Sequence, residues 1–238
     1  MSVRVEVPAE PIRLLELLPI LHEVNDTLIA AAVKQVEAEG RRVSCRAGCG
    51  ACCRQIVPIS EMEARYLAEL IEAMPEDRKQ CVLMRFTQVL GALVTSGMLD
   101  RLRAGPTLNA AERHRLGVEY FQLGLACPFL EQESCSIHRH RPAACREYLV
   151  TSPAENCATP RADNVSMVDL PAKASSVLYR FGDGKGDQPA YWIALPLLLE
   201  WCSEHRQDAA FAAPGTDLFA NFMNKLVRRP GASPSTEG

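Results

Sequence analysis

Four of the ten cysteines in this chain of 238 residues stand in one short segment, which reads Cys45-Arg-Ala-Gly-Cys-Gly-Ala-Cys-Cys53. If the segment curls into a helical turn, Cys45, Cys49 and Cys52 occupy positions i, i+4 and i+7 and point in the same direction. The side chain of Cys53 is rotated by about a hundred degrees from that of Cys52 and points elsewhere. Three convergent thiolates can bind a metal ion, so the spacing predicts a metal site without indicating which metal.

The residues around these thiols suit metal binding. Gly48 and Gly50 allow unusual backbone dihedral angles and a close approach to a bound ion, so that amide N–H groups can reach the sulfur atoms. Positive charge lowers the pKa of a thiol and favours the thiolate that a metal needs. Four arginines are placed to have this effect: Arg41, Arg42, Arg46 and Arg54.

A second cysteine-rich stretch begins at Ala126 and ends at Cys157. Within it, Arg141-Pro142 predicts a short helix with Pro142 at its first position, which places Cys145 in the first turn. The helix dipole and the unpaired amides at that position stabilise a thiolate. The candidate ligands from both stretches are eight cysteines: Cys45, Cys49, Cys52, Cys53, Cys127, Cys135, Cys145 and Cys157.

Two histidines, His138 and His140, lie among the second set of thiols. Lone histidines are more often surface or core residues than ligands, so both stay open as ligands. Cys81 and Cys202 each lie alone in an apolar helical stretch, and we expect them to be buried free thiols because cysteine is among the most buried residue types.

The composition bounds the class of protein. The length and the 47% of hydrophobic residues fit one large domain or two small ones that bury a core without help from metal. The formal net charge of -3 and the pI of about 6.0 give no electrostatic case for nucleic acid or an anionic membrane surface. No secretory signal and no membrane-spanning apolar run is visible, which predicts a cytoplasmic protein. In that reducing compartment, ten cysteines point to metal ligation rather than disulfides.

Apolar spacing and capping signals predict a mainly α fold. Before the second cysteine stretch, the second and fourth predicted helices begin with a capping box, a Ser or Asn followed three residues later by Glu. A short extended piece is predicted at Gln55–Ile59. The predicted helices span Pro11–Glu39, Ser60–Met74, Glu76–Ser96 and Asn109–Leu123.

The C-terminal part is harder to interpret. Ser175–Phe181 and Ala190–Leu195 predict the strands of a β-hairpin, although helix and loop also fit, and Gly182–Asp187 between them is interpreted as a turn rather than a phosphate-binding loop. Helices are expected from Pro196 to His205 and, with Thr216 as N-cap, over residues 217–229. We therefore expect one irregular helical domain, residues 1–229, around a cysteine-rich metal core, with one small β-hairpin and a disordered tail over residues 230–238.

The two cysteine stretches together resemble the YkgJ-type cysteine-cluster family, also described as a zinc- or iron-chelating domain. The resemblance covers residues 43–157 and rests on the first cluster, on Cys127-Pro-Phe-Leu, and on Cys135-Ser-Ile-His138 followed by Arg141-Pro142 and Cys145-Arg146. His138 departs from the tyrosine that is common in similar sequences. The resemblance implies bound zinc or iron, including an iron–sulfur cluster, and does not fix a reaction. A similar cysteine pattern occurs in flagellin lysine N-methylases, so methyl transfer from S-adenosylmethionine is a second hypothesis.

The ligand spacing favours an iron–sulfur cluster, first of all a four-iron four-sulfur cluster, over zinc. Clusters often take three thiolates from one short run and a fourth from afar, and Cys145 or Cys127 fits the fourth place. Structural zinc sites usually combine short-spaced cysteine knuckles in pairs, although soft thiolates suit either metal. Eight clustered cysteines also suffice for two four-thiolate sites, and the sequence does not divide the ligands between them.

Two enzyme classes find little support in the sequence. The first three cysteines copy the spacing of radical S-adenosylmethionine enzymes, but the strand and helix alternation of their barrel is not visible. The strand and glycine-rich loop of an ordinary methyltransferase are not visible either. We therefore expect a metal-binding or redox module that holds a cluster or zinc, with a modification enzyme such as a lysine methylase as the alternative. No nucleic-acid or membrane partner is predicted, and no protein partner is identified.

Overall fold

Helices carry most of the fold. The computed structural model describes residues 4–161, 163–182, 189–205 and 212–227, and the expectation of a mainly α protein is confirmed. None of the described helices is both long and apolar enough to cross a membrane. They are α1 (Leu18–Ala38), α2 (Glu61–Glu72), α3 (Glu76–Thr95), α4 (Leu99–Arg103), α5 (Ala110–Gln122), α6 (Ala143–Glu147), α7 (Ala174–Leu178), α8 (Leu198–Glu204) and α9 (Gly215–Val227).

Local capping places α2 and α5 where the sequence predicts them. The Ser60 Oγ accepts from the Glu63 N–H at 3.2 Å, and Glu63 Oε2 accepts from the Ser60 N–H at 2.8 Å. Asn109 and Glu112 form the same reciprocal pair at the start of α5, at 3.0 and 2.9 Å. These bonds satisfy N–H groups that a helix leaves without an internal partner, so a signal four residues long determines where each helix begins.

The first helix is shorter than predicted. Pro11–Arg13 forms strand β1, Leu14–Leu17 forms a 3-10 helix, and α1 begins only at Leu18. Pro19 stands in the first turn of α1, where its missing N–H group costs nothing. The predicted end agrees with the structure, because Gly40 has a φ of 78°, the left-handed conformation that glycine adopts readily.

The strands form three short antiparallel pairs in the described part of the chain. The further strands are β2 (Pro58–Ile59), β3 (Leu130–Glu131), β4 (Ser134–Cys135), β5 (Ile193–Ala194) and β6 (Ala212–Pro214). β1 pairs with β6, β2 with β5, and β3 with β4. The last pair is a hairpin whose two turn residues, Gln132 and Glu133, both have positive φ values, 48° and 58°, as a tight two-residue hairpin turn requires.

The hairpin predicted at Ser175–Phe181 and Ala190–Leu195 is wrong. Residues Ala174–Leu178 form α7, and Ile193–Ala194 pairs with β2 instead. The buried side chains of this region recur at helical intervals of three and four residues, a signal that outweighs their β propensity: Ala174, Val177, Leu178 and Phe181. The predicted turn after Gly182, the end of the last helix at residues 228–229 and the tail lie outside the described residues. Thr216 lies inside α9 and is not its N-cap, because that helix begins at Gly215.

Two larger cores hold these elements. The main core packs α2, α3, α5 and α8 together with β2 and β5. Within it, the rings of Phe86 and Phe129 pack edge to face, with their centroids 5.6 Å apart. The second core packs the start of α1 against α7 and α9, where Phe181 and Phe222 meet in the same way at 5.6 Å. Met62 of α2 and Ala143 of α6 belong to the second core, so α2 links the two cores and α6 rests on the second.

Candidate metal centre

The first cysteine segment is a turn followed by a 3-10 helix. Residues 45–50 lie outside any helix, Gly48 has a φ of 80°, and a 3-10 helix over Ala51–Arg54 carries Cys52 and Cys53. The single helical face predicted for the first three thiols does not form. Glycine disfavours a helix interior, so two glycines in this segment favour a turn.

Backbone contacts join the two cysteine stretches directly. The Cys127 N–H donates to the Cys53 carbonyl oxygen at 2.7 Å, and the Ser44 N–H donates to the Val150 carbonyl oxygen at 3.0 Å. The 3-10 helix Ala154–Ala158, which carries Cys157, packs against the 3-10 helix of the first segment. The backbone therefore brings residues 127–157 to the first segment, as the sequence pattern requires.

The β3–β4 hairpin lies against the first segment at Gly50. A Cβ atom at Gly50 would stand 2.4 Å from Glu133 Oε2 and 2.9 Å from Leu130 Cδ1, so glycine permits this approach. Arg54 reinforces the contact, because its guanidinium donates to the Gly50 carbonyl oxygen at 3.0 Å and to both carboxylate oxygens of Glu133 at 2.9 and 2.6 Å. Cys135 pairs with Leu130 across the hairpin, so the contact of Leu130 with Gly50 also brings Cys135 close to the first cysteine segment.

A buried carboxylate fixes the start of α6, the helix that carries Cys145. Pro142 is the N-cap of α6 rather than its first residue, and Cys145 lies in the first turn as predicted. Glu63 Oε1 accepts from the Ala143 N–H at 2.7 Å, while Glu63 Oε2 accepts from Ser60. Glu63 is 1% exposed, and burial raises its pKa. One side chain therefore caps α2 and α6 together.

Two further charged residues of α6 are buried. Arg146 donates to the carbonyl oxygens of Arg139 at 2.5 Å and Arg141 at 2.8 Å, and it forms an ion pair with Asp26 at 2.7 Å. Glu147 accepts from the N–H and the hydroxyl of Ser175, at 2.9 and 2.5 Å, which ties α6 to the start of α7. Sequence reasoning missed both roles. The one sequence signal for these roles is that Arg146 and Glu147 are adjacent charged residues in a helix of only five residues.

A buried polar cluster lies beside α6. Tyr66 Oη is 2.7 Å from His140 Nδ1, and Arg146 Nη2 is 3.5 Å from His22 Nδ1. His22 is 6% exposed, and its Nε2 and both polar side-chain atoms of Asn25 have no partner within the described residues. Burial, then the positive charges of Arg146 and His140, lower the pKa of His22 from 6.5 to about 3. His22 is therefore neutral in the folded protein at pH 7.

We expect the burial of His22 to weaken the fold in mild acid. The pKa of His22 is about 3 in the folded state and 6.5 in the unfolded state. Between these two pH values the unfolded state binds the extra proton, so the stability that neutral His22 retains above pH 6.5 is lost as the pH falls toward 3. The unfolding free energy is expected to fall by about 2 kcal/mol between pH 7 and pH 5 from this residue. Urea denaturation of the wild type and of His22→Gln measures it, because the variant lacks the increment. An equal fall in both proteins would contradict the expectation.

A first group of thiols gathers around Cys157. Burial raises the pKa of Cys157, and the neighbouring thiols of Cys45, Cys49 and Cys52 raise it further by like-charge repulsion. The pKa of Cys45 is raised by burial and by Cys52 and Cys49 in the same way. These four residues are called the first thiol group below. Three of them come from the first segment and one from the 3-10 helix Ala154–Ala158.

A second group gathers around Cys145. Burial raises the pKa of Cys145 well above its ordinary value, and the thiols of Cys127, Cys52 and Cys135 raise it further. The pKa of Cys53 is raised by its hydrogen bond with Cys52, by burial, and by Cys127 and Cys145 among other charges. Cys53, Cys127, Cys135 and Cys145 are called the second thiol group below.

The two thiol groups meet at Cys52 and Cys53. The thiol of Cys53 donates to the sulfur of Cys52, which lowers the pKa of Cys52 and raises that of Cys53. Cys52 also raises the pKa of Cys145, so it lies within electrostatic reach of both groups. Two adjacent residues of a 3-10 helix project differently, which lets neighbouring thiols serve different groups.

Arg141 supplies the positive charge that sequence reasoning assigned to the arginines of the first segment. It lowers the pKa values of Cys45, Cys135 and Cys145 against the larger effect of burial. It also lowers the pKa of Cys52, in the same direction as the larger effect of the hydrogen bond with Cys53. Three of the four expected arginines instead pair with carboxylates, namely Arg41 with Glu39, Arg46 with Glu155 and Arg54 with Glu133.

The thiols share a region without enclosing a common point. Among the described residues, no three His, Cys, Asp or Glu side chains stand in position to hold a metal ion. The donor set nevertheless has the chemistry of a zinc or iron site, because it consists of eight soft thiols with an arginine beside them. His140 is held by Tyr66, and the charges that shift the pKa of His138 come from Arg141, Arg146 and Asp26 rather than from a thiol.

The other two cysteines lie in helices of the main core. Cys202 packs against that core but is only partly buried, less than predicted. The prediction that Cys81 is buried is wrong, since it is exposed on α3. The core face of α3 consists of Val82, Phe86, Val89 and Leu93, and Cys81 precedes that face by one residue.

Comparison with known proteins agrees with the donor set. The model of the CxxCxxCC family, described as "Putative zinc- or iron-chelating domain", matches residues 44–164, which contain both thiol groups. No curated protein and no solved structure matches the chain. The match covers half of the chain and confirms the resemblance to a cysteine-cluster family inferred from the two cysteine stretches. The chain belongs to the CxxCxxCC family of zinc- or iron-chelating domains.

Proposed function

We propose that the protein is a metal-binding or redox module in which the two thiol groups each hold one metal centre, iron–sulfur in preference to zinc. The observation that supports this proposal most is that eight thiols lie at the junction of the two cysteine stretches and that thiols among them raise the pKa values of others, with Cys52 acting on both groups. Four thiolates complete the ligand set of either a cluster or a tetrahedral zinc ion.

The arrangement of the first thiol group supports a cluster. Three of its thiols come from one short segment and the fourth from about a hundred residues further along the chain, which is a frequent pattern in iron–sulfur proteins. A metal centre would require the four side chains to turn about their Cα–Cβ bonds toward one point. Such turns exchange one staggered rotamer for another and leave the backbone contacts unchanged.

Anaerobic purification followed by metal analysis, sulfide analysis and an absorption spectrum tests the proposal. We expect iron with acid-labile sulfide and a visible absorption that bleaches on reduction. A colourless protein with stoichiometric zinc would contradict the cluster and keep the metal centres. A protein that retains neither metal, even after reconstitution with each, would contradict the proposed function altogether.

The alternative, a lysine methylase that uses S-adenosylmethionine, has a separate test. Calorimetry on the metal-loaded protein is expected to show no binding of S-adenosylmethionine if the protein is a module without turnover. Saturable binding would favour the enzyme. A cleft beside the thiol groups, described below, is lined by Arg113 and Arg161, and their positive charge does not favour the positive sulfonium of that cosubstrate.

A further inference from the structure

A large cleft opens beside the thiol groups. Its volume is ≈ 1200 Å³, larger than the range of about 300–1,000 Å³ that is usual for small-molecule sites. Gln55, two residues after Cys53, and Ala158, next to Cys157, line it. The cleft therefore borders the candidate metal centre without including any of its eight thiols.

Aromatic rings line the cleft, and hydrogen bonds and close packing hold them in position. Tyr148 Oη accepts from Gln55 Nε2 at 3.1 Å, and Tyr179 Oη donates to the Pro58 carbonyl oxygen at 3.1 Å. The indole of Trp192 packs so closely on Gly105 that a Cβ atom there would stand 2.5 Å from the ring. Rigid rings of this kind bind flat apolar groups at little cost in side-chain entropy.

The charge of the cleft has one sign. Arg113, His114 and Arg161 line it, and no Asp or Glu is among the described residues that do so. None of these three residues takes part in an ion pair within the described part of the chain. The guanidinium of Arg113 is anchored by donating to the Leu108 carbonyl oxygen. Positive charge without a neighbouring carboxylate favours an anionic ligand.

Gly117 borders open space in the cleft. It lies within α5, where Arg113 and Phe121 precede and follow it by four residues and line the same cleft. A Cβ atom at Gly117 would meet nothing within 4 Å. Glycine inside a helix costs about 1 kcal/mol relative to alanine, and packing does not require it here. The space that it leaves belongs to the cleft.

From these observations we infer that the cleft binds a small organic anion with a flat aromatic body. The anionic group lies at Arg113 and Arg161, and the aromatic body lies between the rings of Tyr148, Tyr179 and Trp192. The site goes beyond the proposed metal binding, and it places the ligand next to the residues that follow the thiols. Its test measures ligand binding rather than metal content, so the two proposals fail separately.

The test uses 2-naphthoate as the probe and its neutral analogue 2-naphthamide, titrated by calorimetry into the full-length protein with its metal. We expect saturable binding of 2-naphthoate at one site, with 2-naphthamide at least about tenfold weaker, a difference of about 1.4 kcal/mol. No binding of 2-naphthoate, or equal affinity for both probes, would overturn the inference.

Two sets of variants locate the site. Gly117→Leu is expected to weaken binding at least about tenfold, because its side chain enters the cleft beside Arg113 and Phe121. Gly91→Leu is the matched control, because Gly91 is also a helical glycine with nothing within 4 Å and lies on α3 away from the cleft. The double change Arg113→Gln and Arg161→Gln is expected to weaken 2-naphthoate about tenfold and to leave 2-naphthamide unchanged. Circular dichroism and metal content verify that each variant is folded. Unaltered naphthoate binding in folded Gly117→Leu would refute the site.

Discussion

Replacing Cys49 by serine is expected to remove about half of the bound metal, and replacing Cys145 by serine to remove the other half. Cys49 belongs to the first thiol group and Cys145 to the second. A serine hydroxyl is a hard, neutral ligand that does not replace a thiolate on zinc or iron, so the centre that loses a ligand loses its metal. Metal analysis of the purified proteins gives the result directly.

Cys202→Ser is the matched control for these two variants. Cys202 packs against the main core, and its pKa is raised to about 11 by burial rather than by other thiols. We expect its serine variant to keep the full metal content, and Cys81→Ser likewise, because Cys81 is exposed on α3. Equal metal content in Cys49→Ser and Cys202→Ser would refute the ligand assignment. Complete loss in both Cys49→Ser and Cys145→Ser would show one joint centre instead of two.

Glu63→Ala is expected to lower the unfolding free energy by at least about 3 kcal/mol. The carboxylate accepts from the Ser60 N–H, the Ser60 hydroxyl and the Ala143 N–H, all of them buried. Alanine leaves these donors without a partner, and each buried unsatisfied donor costs about 1–3 kcal/mol. Urea denaturation monitored by circular dichroism measures the loss.

Glu69→Ala provides the control on the same helix. Glu69 is 54% exposed and pairs with Arg13 at 2.9 Å, an exposed ion pair of the kind that contributes at most about 1 kcal/mol. Glu63→Ala also frees the start of α6, so we expect it to weaken metal retention at Cys145, while Glu69→Ala leaves metal content unchanged. Similar losses of stability in the two variants would contradict the role of Glu63 as a joint cap of α2 and α6.

The starts of α2 and α5 could be predicted because their signals are local. Each is a capping residue and a glutamate three residues apart, followed by apolar residues at helical spacing, and no distant contact is needed to form them. The strand predicted at α7 was wrong for the opposite reason. The apolar residues of this segment have helical spacing, but five residues are too few to form a stable helix alone, and burial against α9 in the second core decides its conformation.

The sequence alone determined which residues are the candidate metal ligands, because thiol identity and short spacing need no fold to be recognised, and family membership rests on the same segment of the chain. Only the tertiary structure decided which thiols become neighbours and what holds them. Cys157 reaches the first segment and Glu63 caps a helix 80 residues away because packing of the helices brings these backbones together. The same packing turns Arg141 toward the thiols and opens the basic aromatic cleft beside them. Contacts over such separations are set by the burial of both cores, which no local pattern encodes.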